Sequence, residues 1–438
     1  MSSPPGVHAS QVYEFLMESQ FWPEAQMKAY QQGQLSQLLR HAKANVPFYS
    51  ERLNRIFKSD GSIDWARWGE LPILKREDVA QHFDAMQASV LPAGHGPTAV
   101  VSTSGSTGLP IRIRNPYIMQ AVGLANDWRA HRWWNVDWSA AMVDWFGDLP
   151  DGWQADAARD RGIWGSHSDP SAAAGKSYVF DQNAPIQQRL DHLRAVNAKY
   201  LYAQANHPYA AALEMSKGSL FHKLDAVMTL GMKNEPEYHE AVATSFGAKM
   251  RGRYSSTEAG RIGYTCETGG HYHVCSETVV IEILDDHDQP CGLGQTGRII
   301  VTPFLATPQP FIRYEQGDLG AWGEPCICGK RLPVIKEVSG RIEHLFKRAD
   351  GTKFGPAVFD SLRPTLGAEF WQFVQIGINE IEVRYKPTHQ RDLTKEQFFI
   401  HLLRKELKQD YVIKFSIVDK LPLTPAGKFI KYLNAIKK

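Results

Sequence analysis

Apolar residues recur at helical spacing between positions 10 and 58. Val12, Phe15, Leu16 and Met17 form one set, and Leu35, Leu38, Leu39 and Ala42 form a second. Val46-Pro47-Phe48-Tyr49 interrupts the pattern, as proline does, before Leu53 resumes it. Leu71-Pro72-Ile73-Leu74-Lys75-Arg76-Glu77-Asp78 reads as a turn into a short helix. Thr98 to Val101 reads as a short buried strand, and Met119 to Trp134 as a helix. Further on, helices at Ile186–Val196, Ala210–Met215 and Tyr238–Ser245 alternate with strands at Lys199–Ala203, Ala226–Leu230 and Lys249–Tyr254. Strands separated by helices predict a parallel, doubly wound sheet. Ligands in such sheets sit past the carboxyl ends of the strands. That rule puts Gly231-Met232, Tyr254-Ser255 and the loop after Val101 on one functional edge.

From Thr278 the pattern changes. Val279–Leu284, Gly297–Thr302 and Ile312–Trp322 read as strands joined by Gly, Pro and Asp turns, an antiparallel β unit. After Arg341 come a hairpin around Asp350-Gly351, a helix from Phe359 to Leu366, and strands at Val374–Ile378 and Ile381–Tyr385. A helix at Lys395–Leu407 and a strand at Ile413–Val418 follow. The expected class is α/β: a large N-terminal domain over residues 1–340, with doubly wound mixed sheets plus a β unit, and a small mobile α+β C-terminal domain over 341–438.

Composition changes this picture little. With 438 residues, 43% hydrophobic and 22% charged, the chain is an ordinary globular one. A formal net charge of +2 gives no field that would favour nucleic acid or a membrane surface. No apolar run approaches the ~20 residues of a membrane span, and the N-terminus carries no secretory pattern, so a cytoplasmic location is expected. The tryptophans crowded between Trp128 and Trp164 are bulky core in the first instance. The five cysteines, Cys266, Cys275, Cys291, Cys326 and Cys328, all lie in one stretch. An odd count in such a chain argues against a disulfide framework.

The most informative stretch is V-S-T-S-G-S-T-G-L-P-I-R, Val101 to Arg112. Between Ser102 and Gly108 it holds hydroxyls and glycines and nothing apolar. Glycine allows close backbone approach, and successive N–H groups beside small hydroxyls suit phosphate oxygens. A flexible turn is the plainer alternative. Three more short motifs follow: Y-S-S-T-E at Tyr254–Glu258, I-R-Y-E-Q-G-D-L at Ile312–Leu319, and L-T-P-A-G-K at Leu423–Lys428, with Gly340-Arg341 between the last two.

These motifs, in this order, resemble the adenylate-forming superfamily: acyl-CoA synthetases, peptide-synthetase adenylation domains and luciferases. V-P-F-Y at 46–49, L-P-I-L-K-R-E-D at 71–78 and C-I-C-G-K at 326–330 look like the phenylacetate–CoA ligase branch. The resemblance implies a two-step reaction. A carboxylate attacks the α-phosphorus of ATP, giving an acyl-adenylate and pyrophosphate, and the thiol of coenzyme A then takes the acyl group. Lys428 would supply positive charge to the developing transition state. Glu258 would hold Mg²⁺, and Thr257 would hold a phosphate or carboxylate oxygen. Ser104, Gly105, Ser106, Thr107 and Gly108 would cradle phosphates. Gly231, Met232, Tyr254 and Ser255 would surround the adenine and the acyl group, Asp318 would accept from the ribose hydroxyls, and Arg341 would contact the nucleotide. Glu343 would be the hinge for a rotation of the C-terminal domain between half-reactions.

The resemblance also implies a Zn²⁺ held by Cys266, His273, Cys326 and Cys328, with His271 or Cys275 able to replace a member. Free buried cysteines are the alternative there. Ser255 stands where the family often has Gly at the acyl-pocket wall, Leu109 where the branch often has Lys, and Asp144 to Asp151 lacks the branch's Gly-rich run. These departures point away from phenylacetate toward another aromatic or compact acid. A carrier-protein thiol, an amine or another nucleophile as acceptor stays open, as does a homodimer. A non-catalytic nucleotide-binding scaffold is the alternative of another class.

Overall fold

The structure is a computed structural model that describes residues 9–102, 111–146, 159–164, 175–215, 222–354, 362–407, 410–420, 422–423 and 429–436. The chain divides into two compact units, Met1–Val338 and Ser339–Lys438.

The first unit opens with helices α1 (Ala9–Ser19), α2 (Glu24–Asn45), α3 (Pro47–Ser50) and α4 (Arg76–Gln81). The apolar stripe of α2 does what its spacing predicts. Leu35, Leu38, Leu39 and Ala42 pack with Val46, Tyr49 and Leu53 against Phe304 and Ile312. Strands β1 (Thr98–Ser102) and β2 (Arg112–Pro116) form a separate antiparallel ribbon. This corrects the reading of Thr98–Val101 as buried: Val100 and Val101 are exposed, because β1 lies in a two-stranded ribbon outside the main sheet whose core contact is made by Ile113 of β2. Helix α5 (Tyr117–Trp133) follows and is buried on several sides. Tyr13 of α1 meets Trp128 of α5 edge-on at 6.2 Å.

The remaining strands of this unit make one twelve-stranded sheet. They are β3 (Met142–Phe146), β4 (Arg159–Ile163), β5 (Lys176–Asp181), β6 (Tyr200–Gln204), β7 (Ala226–Leu230), β8 (Lys249–Ser256), β9 (Gly260–Thr265), β10 (Tyr272–Val274), β11 (Val279–Leu284), β12 (Thr296–Pro303), β13 (Tyr314–Trp322) and β14 (Val334–Arg341), the last running past the unit boundary. Their order is β11-β12-β13-β14-β10-β9-β8-β7-β6-β3-β5-β4. The pairs β5/β3, β3/β6, β6/β7 and β7/β8 are parallel, and their connections include helices α6 (Ile186–Ala195), α7 (Asn206–Met215) and α8 (Pro236–Phe246), as expected for a doubly wound arrangement. Helix α8 stops at Gly247, whose φ of 64° gives the left-handed cap. The expected β unit is the other half of this same sheet, antiparallel from β8 onward along β9, β10 and β14. Trp128, Trp133, Trp145 and Trp164 are core, each buried.

Two charged anchors hold distant segments. Arg129 on α5 donates to Glu277 Oε1 at 2.6 Å with both side chains buried, and Ser19 Oγ donates to the same oxygen at 2.7 Å. Arg313, at φ 51°, donates to the carbonyls of Gly69 and Leu71 and pairs with Glu282.

The second unit holds the short hairpin β15 (Phe346–Lys347) with β16 (Lys353–Phe354), then α9 (Arg363–Leu366), β17 (Ala368–Gly377), β18 (Glu380–Pro387), α10 (Leu393–Leu407), β19 (Val412–Ile417) and β20 (Tyr432–Asn434). The sheet order is β19-β18-β17-β20. Phe399, Leu403 and Leu407, at helical spacing on α10, pack on Trp371, Phe373, Ile381 and Val383. Among the described residues no helix is long and apolar enough to cross a membrane.

Candidate active site

The carboxyl ends of the parallel neighbours β7 and β8 carry two of the sequence motifs. Gly231 leaves β7 at φ 71°, with Met232 next. Tyr254 and Ser255 end β8, with Ser256, and lead through Thr257 and Glu258 into the turn to β9. A bulge lies between Tyr254 and Ser255, so that Tyr254 pairs with Gly263 and Ser255 with Arg261.

Three side-chain hydrogen bonds join the end of β8 to β13. Tyr254 OH donates to Asp318 Oδ2 at 2.8 Å, Ser256 Oγ to Gln316 Oε1 at 3.2 Å, and Tyr314 OH to Glu258 Oε1 at 3.2 Å. Positions 254, 256 and 258 thus face 318, 316 and 314 in antiparallel sense, each two residues on. On β13 every second residue points the same way, so Tyr314, Gln316 and Asp318 present one face to the end of β8 and the turn that follows it. Burial and the neighbouring Glu258 carboxylate push the Tyr314 hydroxyl well above the usual phenol range. It therefore stays protonated and donates. Glu258, 5% exposed, also takes a longer contact of 3.5 Å from Arg76 Nη1.

The hydroxyl-rich loop is anchored beside this turn at its flanks. Ser102 pairs with Arg112 across the β1–β2 ribbon, and Asn115 Nδ2 donates to the Thr257 carbonyl at 3.0 Å. The predicted loop residues Ser104, Gly105, Ser106, Thr107 and Gly108 lie outside the described residues, as does Lys428. Arg341 ends β14 within the second unit, and Glu343 sits in a 3₁₀ turn, Ile342–His344. The structure therefore brings together Gly231, Met232, Tyr254, Ser255, Thr257, Glu258 and Asp318. Arg76, Ser256, Tyr314 and Gln316 join them without having been singled out. For Tyr314 and Gln316 the signal was the alternation inside I-R-Y-E-Q-G-D-L, where Tyr314, Gln316 and Asp318 share one strand face.

The cysteines and histidines form a second cluster. Ligand atoms of Cys266, His271, His273 and Cys326 lie within 4.8 Å of one another, and Cys266, Glu267 and Cys328 make an overlapping group. Cys266 Sγ is 3.6 Å from Cys326 Sγ, and Cys328 Sγ is 3.2 Å from His273 Nε2. His271 Nε2 is buried with no hydrogen-bond partner among the described residues. Thiols and imidazoles gathered this way are the donor set a zinc ion takes. Cys275 is placed elsewhere, buried next to Arg129.

The whole chain superposes on a 2-hydroxyisobutyryl-CoA ligase in the postadenylation state, in complex with R3-HIB-AMP. The TM-score is 0.73 at 18% identity, covering 100% of this chain and 94% of that one. The chain has the fold of the adenylate-forming ligases. The anthranilate CoA ligase AuaEII in complex with anthranoyl-AMP shares this fold at TM-score 0.56 and 16% identity, over 78% of this chain and 67% of that one. The amide bond synthetase McbA from Marinactinospora thermotolerans shares the adenylate-forming ligase fold at TM-score 0.52 and 15% identity, over 75% and 67%. No family model and no curated protein matches the sequence.

Proposed function

We propose that the protein is an AMP-forming acid–thiol ligase that activates a small carboxylic acid with ATP and transfers the acyl group to coenzyme A. The observation that carries this reading is the three-bond face between Tyr254–Glu258 and Tyr314–Asp318. It fixes an aromatic ring, a ribose-type acceptor and a buried carboxylate in one row beside the flanks of a hydroxyl-rich loop. Tyr254 would lie against the adenine with Gly231 and Met232. Asp318 would accept from the ribose, its carboxylate oriented by the Tyr254 hydroxyl. Thr257 would hold a phosphate or carboxylate oxygen, and Ser104–Gly108 would cradle phosphates. Glu258 offers the hard oxygen that a magnesium ion takes along with phosphates, and that ion would offset phosphate charge. Arg341 would contact the nucleotide and Glu343 would act as hinge, with residues 1–340 as the nucleotide-binding domain and 341–438 as the mobile one. The Cys/His cluster would be a structural zinc site, and V-P-F-Y, L-P-I-L-K-R-E-D and C-I-C-G-K favour kinship with the phenylacetate–CoA ligase branch. A cytoplasmic location fits an enzyme that consumes ATP and coenzyme A.

Lys428 would bring its charge between the attacking carboxylate and the α-phosphate oxygens. The test separates the half-reactions. Lys428→Ala is expected to lower acid-dependent pyrophosphate release by ~1000-fold, on the scale of removing a transition-state charge contact. Thioester formation from pre-made acyl-adenylate should stay near the wild-type rate. Equal loss of both steps would count against this division of roles. Adding coenzyme A, then a carrier protein, to the wild-type mixture identifies the acceptor.

A further inference from the structure

Behind the Ser255 wall lies a charge cluster that the adenylation reading does not use. Asp127 on α5 accepts from Arg253 Nη1 at 3.1 Å, Arg261 Nη2 at 2.9 Å and Tyr264 OH at 2.6 Å. Arg253 precedes Ser255 by two on β8, and Arg261 is the cross-strand partner of Ser255. Two guanidiniums therefore share one carboxylate, which leaves a positive charge unbalanced. Tyr264 does not offset it, since burial and Asp127 raise its hydroxyl far above the phenol range and keep it neutral. His131 nearby adds no charge at neutral pH, because burial holds its imidazole down at about 4. Among the described residues no other acid bonds to either guanidinium. Arg253 also lies 5.2 Å over the ring of Tyr202, whose hydroxyl burial keeps protonated.

The donors are also underused. Each guanidinium gives one hydrogen bond to Asp127, and the Nε atoms of both are buried without a partner among the described residues. A guanidinium carries several N–H donors in a planar fork that matches a carboxylate, and leaving them unpaired in a buried place is costly. The cluster is not sealed. Arg261 retains 27% side-chain exposure and lines a small cleft with Met119, Gly123, Asn126 and Gly260. Gly123 makes the room: a Cβ there would sit 3.0 Å from Arg261 Cζ.

From this we infer that the acid this site takes carries a second anionic group, a distal carboxylate or its equivalent, which pairs with Arg261 and Arg253 while the first carboxylate reacts. The inference rests on the adenylation reading and narrows its substrate to doubly anionic acids. Asp127 is then a positioning residue that aims the two guanidiniums.

The test compares matched acids in pyrophosphate release: succinate against butyrate, adipate against hexanoate, isophthalate against benzoate. The wild-type protein is expected to favour the diacid of at least one pair by ~10- to 100-fold in kcat/KM, the scale of a charge-assisted pair. In Arg261→Met that ratio should fall toward one, and Arg261→Lys should keep part of it. Arg253→Met gives a second reading should Arg261→Met fail to fold. Monoacids outrunning diacids in every pair, or a ratio unmoved in folded Arg261→Met, would overturn the inference while leaving the adenylation reading intact. Silence from both classes of acid would overturn the two together.

Discussion

The hydroxyl of Tyr254, at the end of β8, donates to the carboxylate of Asp318, on β13, across 2.8 Å. β14, β10 and β9 stand between those strands in the sheet order, so the bond exists only because the sheet curls to bring the two strands face to face.

Tyr254→Phe removes the donor and leaves a buried carboxylate oxygen short of one bond, at a cost of about 1 kcal/mol. The expected effect is a rise of about 5-fold in the KM for ATP in pyrophosphate exchange. Asp318→Asn should raise it further, and the double variant should be no worse than Asp318→Asn alone, since residues that act through one bond are not additive. Additive losses would show that the two contact the nucleotide independently.

Protein purified without chelator is expected to hold ~1 zinc per chain, as a four-ligand cluster would. Cys266→Ser should lose the metal and melt at a lower temperature. Cys328→Ser and His271→Ala decide the fourth ligand, because only a true ligand's loss lowers the zinc content by elemental analysis. A wild-type protein free of transition metal would make the cluster a set of buried thiols.

His207 is buried on α7, with Arg189 Nη1 at 3.3 Å from its Nδ1. Burial, and secondarily the Arg189 charge, hold its imidazole down at about 4. The unfolded chain, near the ordinary 6.5, therefore binds a proton that the folded chain refuses. Stability from this residue is full above pH 6.5 and is lost as pH falls toward 4, by up to about 3 kcal/mol. Urea melts at pH 7.5 and 5 should show a smaller acid loss in His207→Gln than in the wild type. An identical loss would place the acid sensitivity elsewhere.

Much of the scaffold was legible from periodicity, because α2 and α10 each bury a face that repeats at helical spacing. The Y-S-S-T-E and I-R-Y-E-Q-G-D-L motifs were legible as chemistry, and alternation within the second could have exposed Gln316 and Tyr314 as partners. Thr98–Val101 misled because an apolar run states a preference for extended chain, not which sheet it joins; here it joined a two-stranded ribbon in which the partner strand, through Ile113, makes the core contact. Asp127, Arg253 and Arg261 carried no signal at all. Asp127 lies 126 residues from Arg253 and 134 from Arg261, and each looked like an ordinary surface charge until α5 was laid on the β8–β9 hairpin. Arg129 and Glu277, 148 residues apart, were hidden for the same reason.

Gly123 sits mid-helix in α5, where alanine would be favoured by about 1 kcal/mol. A methyl group there would meet the flexible end of Arg261, at 3.0 Å from Nε and Cζ and 3.2 Å from Cδ, so the backbone could stay as it is while the guanidinium gives by a few tenths of an ångström and its alignment on Asp127 changes. Position 123 is thus a one-step evolutionary dial. A single nucleotide change turns glycine to alanine, and on the proposed reading it would change which acids a descendant enzyme prefers without touching the Tyr254–Asp318 pair. Chains of this fold that carry a side chain at this point of the helix are where such a shift in diet should be sought.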